Sequence, residues 1–251
     1  MTEPSALDTV RHCSPLFLAA GGAFMLHPEV LGPCRDHGYP NGFVYYVRGR
    51  GGVLGEVDAD IVSSAFGFFN PTVVRGMWEA GIGVEPARDA ARRYGRAAAD
   101  WGAKRLDGVA GLDRFAELAR RVVDAADLVG MTLFAGWRAE PETDDPAGRA
   151  YVLTHVLREW RGSAHVVATA ASGLSASESI LADPKGGAAT AKLFGWGEDL
   201  PAVDDSVQAR RRAAEELTDQ LLVPAYSTLT GPERAEFCAL ADALGAAISG
   251  S

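Results

Sequence analysis

Between Tyr151 and Leu174 the chain reads YVLTHVLREWRGSAHVVATAASGL. Val152, Leu153, Val156, Leu157 and Trp160 recur there at three- and four-residue spacing. One apolar stripe of that period restricts the segment to a helix laid against a core. His155, Arg158 and Glu159 fall together on the flank of the stripe, because positions three and four apart are helix neighbours. Arg161 falls on the far polar side. Gly162 is expected to break the helix, with Ser163 as N-cap of a second one. In that second helix Val167, Ala170, Ala171 and Leu174 share one face, and His165, Thr169 and Ser172 another.

His155 and Glu159 lie one turn apart beside apolar neighbours. A carboxylate there favours imidazolium, and desolvation opposes it. Such a pair can bind an anion, move a proton or hold a helix in place. The plain structural alternative is an ion-pair cluster of Glu159 with the two arginines, since structural networks also perturb ionisation.

The same reading carries helices along most of the chain. Residues 1–13 read as loosely ordered, and Ser14 to Cys34 as apolar and helix-compatible. In GFVYYVRGRGGVLG, Tyr46 and Arg50 are four apart and share a helical face, where an arginine and an aromatic ring can stack. Residues 58–80 read as helix, turn, helix, with Asn70 as cap and Pro71 at the first position of the second helix. Phe66, Phe68 and Phe69 precede that cap as core residues. Ala87 to Leu106 and Leu112 to Phe134 each read as one long helix, as do Val207 to Leu222, ended by Pro224, and Pro232 to about Ile248. Arg210, Arg211 and Arg212 are followed by Glu215, Glu216 and Asp219, and read as a solvated face. Residues 139–148, AEPETDDPAG, are acidic, proline-bearing and almost without apolar side chains, a linker signature. The expected division is therefore 14–138, linker 139–148, and 149–248.

Charge and cysteines narrow the function classes. The formal net charge of −9 opposes nonspecific phosphate binding, which needs a cationic face. Cys13, Cys34 and Cys238 are scattered, with no spacing that suggests a metal site, and are read as reduced thiols. No signal-peptide pattern opens the chain, and the apolar run Leu16 to Leu26 is too short for a bilayer. A cytoplasmic protein without cofactor or metal, and without a membrane partner, is the expectation.

The two halves are alike at an offset of 105 positions: Asp60-Ile61-Val62 against His165-Val166-Val167, Ala65 against Ala170, Phe69 against Leu174, Asn70 against Ser175. A duplication of this kind predicts a pseudo-twofold arrangement with a cleft along the axis.

LREWRGSAHVVA is similar to LREHRGDGHVAAL of the large actinobacterial family of helix-turn-helix proteins related to EvbL and SalK and described as MarR-like. Tyr46, Arg50, Leu54 and Gly55 match its Y-x-x-x-R-x-x-x-L-G segment, and Phe69-Asn70 its F-N. Gly195-Trp196 matches its R-G-W, and Glu216, Thr218-Asp219 and Pro224 its C-terminal part. The matches run from about Pro28 to Leu229. Ser163-Ala164 replaces the family's Asp-Gly, and Phe194 stands where the family tends to have arginine. The resemblance implies a mainly α fold with little β: two winged-helix-like units in one chain, forming a pseudo-dimer. A winged helix reaches phosphates with basic groups, yet PTVVRGMW carries only Arg75 and SASESILAD no base.

Three functions follow as expectations. The first is a small-molecule-binding protein whose cleft holds an aromatic or carboxylate-bearing metabolite. Tyr46, Phe66, Phe69 and Trp160 would be its walls, with Asn70 beside them and Arg50, Arg158, Arg161, His155 and His165 as polar anchors. The second is a cofactor-independent enzyme acting on a natural-product intermediate in the same cleft, with His155, Glu159 and His165 as acid-base residues. The third is a DNA-binding regulator, which the acidic charge disfavours. Monomer and homodimer are both open.

Overall fold

The computed structural model describes residues 3–250. Among them every regular element is helical. In chain order they are α1 (Ala6–Gly22), α2 (Pro28–Leu31), α3 (Gly42–Gly51), α4 (Ala59–Phe66), α5 (Pro71–Gly81), α6 (Ala87–Arg105) and α7 (Leu112–Ala125). Then come α8 (Thr132–Arg138), α9 (Pro146–Ala171), α10 (Ala176–Ala182), α11 (Ala188–Leu193), α12 (Asp205–Tyr226) and α13 (Gly231–Ser249). Short 3-10 turns follow α2 and α3.

This corrects the expectation of two winged-helix-like units forming a pseudo-dimer. A winged helix needs a β-hairpin, and no strand occurs among the described residues. The physical reason is visible in the segments concerned. GFVYYVRGRG is a buried helix, and after Trp196 no apolar–polar alternation exists to support a strand pair. The internal offset holds only for caps. Asn70 and Ser175 do both cap helices, accepting from Thr72 N and Glu178 N. But α4 is a separate short helix, whereas its expected counterpart is the tail of the long α9.

α9 is the hub of the fold: α1, α6, α7, α8 and α12 all pack on it. Asp145 starts it by accepting from Gly148 N, with Pro146 in the first turn. Tyr151, Leu153, Val156, Leu157, Trp160 and Ala164 are buried along it. The helix passes through Gly162 without a break, and Ser163 caps nothing. A mid-helix glycine costs only about 1 kcal/mol, less than packing on several neighbours supplies. The real stop is Gly173, at φ +69, where Leu174 N reaches back to Thr169 O at 3.2 Å.

Other boundaries shift for similar local reasons. α1 begins at Ala6, within the segment expected to be loose, because Ser5 and Asp8 form a capping box; the first two positions of that segment lie outside the described residues. The expected helix from Leu112 to Phe134 is two helices, with Gly130 at φ +74 between them. α12 runs through Pro224 to Tyr226.

One hydrophobic cluster extends from Val10 to Ile248 and includes residues on both sides of 139–148. A second, small one joins Leu174, Ala182, Val207 and Ala214 under α10 and α12. No helix among the described residues is long and apolar enough to cross a membrane.

Candidate functional site

The turn between α4 and α5 creates the site. Gly67, at φ +68, lies so close to α9 that a Cβ there would strike Val166. This close approach sets Phe68 and Phe69 over the polar flank of α9. A latch from the segment after α11 holds them there. Asn70 N donates to Phe194 O at 2.9 Å, and Trp196 Nε1 donates to Phe68 O at 2.8 Å. Phe194 stacks on Phe69 with ring centroids 4.1 Å apart.

Between this aromatic wall, α9 and α12 lies a cavity of about 220 Å³. Phe66, Phe68, Phe69 and Phe194 form its apolar side. Its polar side carries Arg50, Arg158, Arg161 and Arg211 against Glu159, Asp183 and Glu215, together with His165. A second recess of about 200 Å³ continues past Phe68, His165 and Arg211 toward Ile180 and Thr190. Four arginines against three carboxylates leave the lining one charge positive, inside a chain of net charge −9.

The deepest pair is Arg50 and Glu159. Arg50 Nε and Nη2 donate to the two Glu159 oxygens, each at 2.9 Å, and Arg158 Nη1 donates to Oε1 at 2.9 Å. Arg50 Nη1 also donates to the Tyr46 hydroxyl at 3.1 Å, and the guanidinium lies 4.5 Å over the Phe66 ring. Burial works against the Glu159 charge, yet Arg50 and Arg158 hold its carboxyl well below the usual carboxylate range. A carboxylate so engaged is an anchor for arginines; its basicity is spent.

Glu215 repeats the arrangement on α12. Arg161 Nη2 donates to it at 2.6 Å and Arg211 Nη1 donates to its other oxygen, while Arg211 Nη2 reaches Asp183 at 3.2 Å. The Nε atoms of Arg158, Arg161 and Arg211 are buried without a hydrogen-bond partner. These guanidiniums are short of acceptors, an uncommon state for buried polar groups.

His165 has a fixed tautomer. Thr218 Oγ1 donates its proton to Ala214 O at 2.7 Å, so it accepts from His165 Nδ1–H at 2.9 Å. Nε2 is left as a lone pair, 3.9 Å from Glu215 Oε1. Burial pushes the ring down to about 4, against the pull of Glu215. At neutral pH the cavity therefore holds an uncharged hydrogen-bond acceptor among its arginines.

The structure brings Arg50, Phe66, Phe69, Arg158, Glu159, Arg161 and His165 to the lining of one cavity. Four other expected residues stand apart. His155 is wholly buried behind Glu159, edge-on to Phe24 and Trp137, with Nδ1–H donating to Gly21 O at 3.1 Å. Burial pushes it down to about 4 as well. Trp160 stacks on Tyr226, Asn70 caps α5, and Tyr46 supports Arg50 from behind. Phe68, Asp183, Phe194, Arg211, Glu215 and Thr218 were missed as site residues. The i,i+4 spacing of Arg211 and Glu215 was a signal for that pair, masked by the charged run around it. Arg211 is in fact only 8% exposed.

Among the described residues no group of His, Cys, Asp and Glu could hold a metal ion. A family model described as a helix-turn-helix family matches residues 10–251, and the chain belongs to that family. No curated protein sequence and no solved structure matches the chain.

Proposed function

We propose that this member of the helix-turn-helix family binds a compact organic anion, an aromatic carboxylate or phenolate, in the cavity between α9, α12 and the α4–α5 turn. The observation that carries the reading is the excess of guanidinium over carboxylate in an aromatic-walled cavity. Each of Glu159 and Glu215 is shared by two arginines. An entering carboxylate would supply the missing acceptor, and charge-assisted bonds to arginine are among the strong ones. Size sets the scale: a cavity of about 150 Å³ accommodates benzene. The 220 Å³ here suits one substituted ring, with the adjoining recess open to a substituent. His165 Nε2 would accept from a hydroxyl or N–H on the ligand.

The test is calorimetric titration with benzoate and phenylacetate, with benzamide as the neutral control. Binding of the anions is expected, weakened about 10-fold or more in Arg161→Gln and Arg211→Gln, since bonds to charged groups contribute ~1.5–3 kcal/mol. Equal affinity for benzamide, or no heat at ligand concentrations of about 1 mM, would refute the reading.

A second reading, catalysis on a natural-product intermediate, is supported by the free Nε2 of His165. The compound class rests on the resemblance carried by LREWRGSAHVVA. Mass spectrometry of host extract incubated with the protein separates the two. A compound consumed only while His165 is intact supports catalysis, and one retained unchanged supports binding.

Family membership favours a third reading, nucleic-acid binding. Against it, Arg75, the one cation of α5, is paired with Asp60 and Glu79, and α10 carries Glu178 and no cation. A low-salt gel shift with duplex DNA at micromolar protein tests it; no shift is expected.

A further inference from the structure

Away from the cavity, Cys13 on α1 and Cys238 on α13 face each other with their sulfurs 3.9 Å apart. The two helices pack along one another, so the chain's first and last helices meet at this pair. We propose that Cys13 and Cys238 are a peroxide-sensitive thiol pair that closes to a disulfide tying α1 to α13.

The two thiols differ in the way such a reaction needs. Cys238 is partly exposed and Cys13 is buried, so an oxidant meets Cys238 first. The hydrogen bond from Cys13 lowers the Cys238 thiol against burial, and His12 helps while Asp242 opposes. The same bond and burial raise Cys13. The thiolate, the reactive form, therefore resides on Cys238.

The chemistry balances with hydrogen peroxide as oxidant. The Cys238 thiolate attacks one peroxide oxygen; an S–O bond forms, the O–O bond breaks, and hydroxide leaves as water after taking a proton. The resulting sulfenic acid is attacked by the Cys13 sulfur. An S–S bond forms, the S–O bond breaks, and hydroxide departs with the Cys13 proton as a second water. Two thiols give up two electrons and one peroxide accepts them. The bond requires a separation of about 2.05 Å, so roughly 2 Å of closure between helices already in contact.

Cys34 is the internal control: it is buried in the 3-10 turn after α2. The full chain is treated with hydrogen peroxide, unfolded in an alkylating agent, and its mass and peptides are measured. Free thiols are expected to fall from three to one, with a loss of two hydrogens and a Cys13–Cys238 cross-linked peptide. Cys13→Ser is expected to stop at a Cys238 sulfenic acid that dimedone captures. Cys238→Ser is expected to leave Cys13 unoxidised. Three thiols remaining after peroxide has consumed added glutathione would overturn the proposal. So would a Cys238 sulfinic acid beside an intact Cys13 in the wild-type chain, or a cross-link to Cys34.

Discussion

Arg50 on α3 and Glu159 on α9 meet in a bidentate pair, both oxygens engaged at 2.9 Å, with the Glu159 side chain wholly removed from solvent. They stand 109 residues apart in sequence. The pair clamps the α3 segment onto the hub helix at the floor of the cavity. Removing one partner strands the other: Glu159→Ala leaves the buried Arg50 charge without its carboxylate. Breaking a buried pair in this way costs about 3–5 kcal/mol. Urea denaturation should show that loss, and coincident curves for mutant and wild type would contradict it.

The two depressed histidines set a pH dependence. Unfolded, each titrates near 6.5; folded, His155 and His165 titrate at about 4. As pH falls below 6.5 the unfolded chain takes up protons that the folded chain refuses. Their contribution is therefore complete above about 6.5 and declines as pH drops toward 4, by up to roughly 1.4 kcal/mol per pH unit for each histidine. Denaturation series should be nearly level at pH 7.5 and fall with growing slope from about pH 6.5 to 5, above the range where carboxylates titrate. A flat profile there is incompatible with two neutral buried rings.

Gly162 and Gly21 should respond to alanine in opposite directions. A Cβ at Gly162 meets nothing within 4 Å. Within a helix, Gly162→Ala should raise stability by about 0.5–1 kcal/mol. A Cβ at Gly21 would lie 2.7 Å from Thr154 O and 2.9 Å from Arg158 Cβ, where α1 crosses α9. Gly21→Ala should cost about 1–3 kcal/mol through overpacking. Thermal melts of both variants check the sign, and a stabilised Gly21→Ala would mean that α1 sits further from α9 than described.

Thr218→Val removes the acceptor that fixes the His165 tautomer. The ring N–H is then left without its partner, at a cost of about 1–3 kcal/mol. The nitrogen chemical shifts of the His165 ring should move away from those of the Nδ1–H form expected for the wild type. Unchanged shifts would show that some other group sets the tautomer.

The helical nature of the chain was legible in its apolar spacing and its caps. Asn70-Pro71, Ser175 and Thr230 start helices as their chemistry dictates. The pairing of Tyr46 with Arg50 was legible as a four-residue spacing. Less was legible where packing overrides local propensity. Gly162 and Pro224 look like stops and are not, because their helices are held by neighbours. Arg211 looks solvated within a run of arginines, yet it turns into the cavity between Glu215 and Asp183.

Local sequence determined which segments are helical, where most begin, and which side chains sit together on one face, because those depend on contacts within a few residues. Only the tertiary structure decided that the arginines of α3, α9 and α12 converge on two shared carboxylates under a wall of phenylalanines. That convergence depends on Gly67 allowing the α4–α5 turn against Val166 and on the Phe194–Trp196 latch, contacts between segments about 100 residues or more apart. No periodicity within a single helix encodes them.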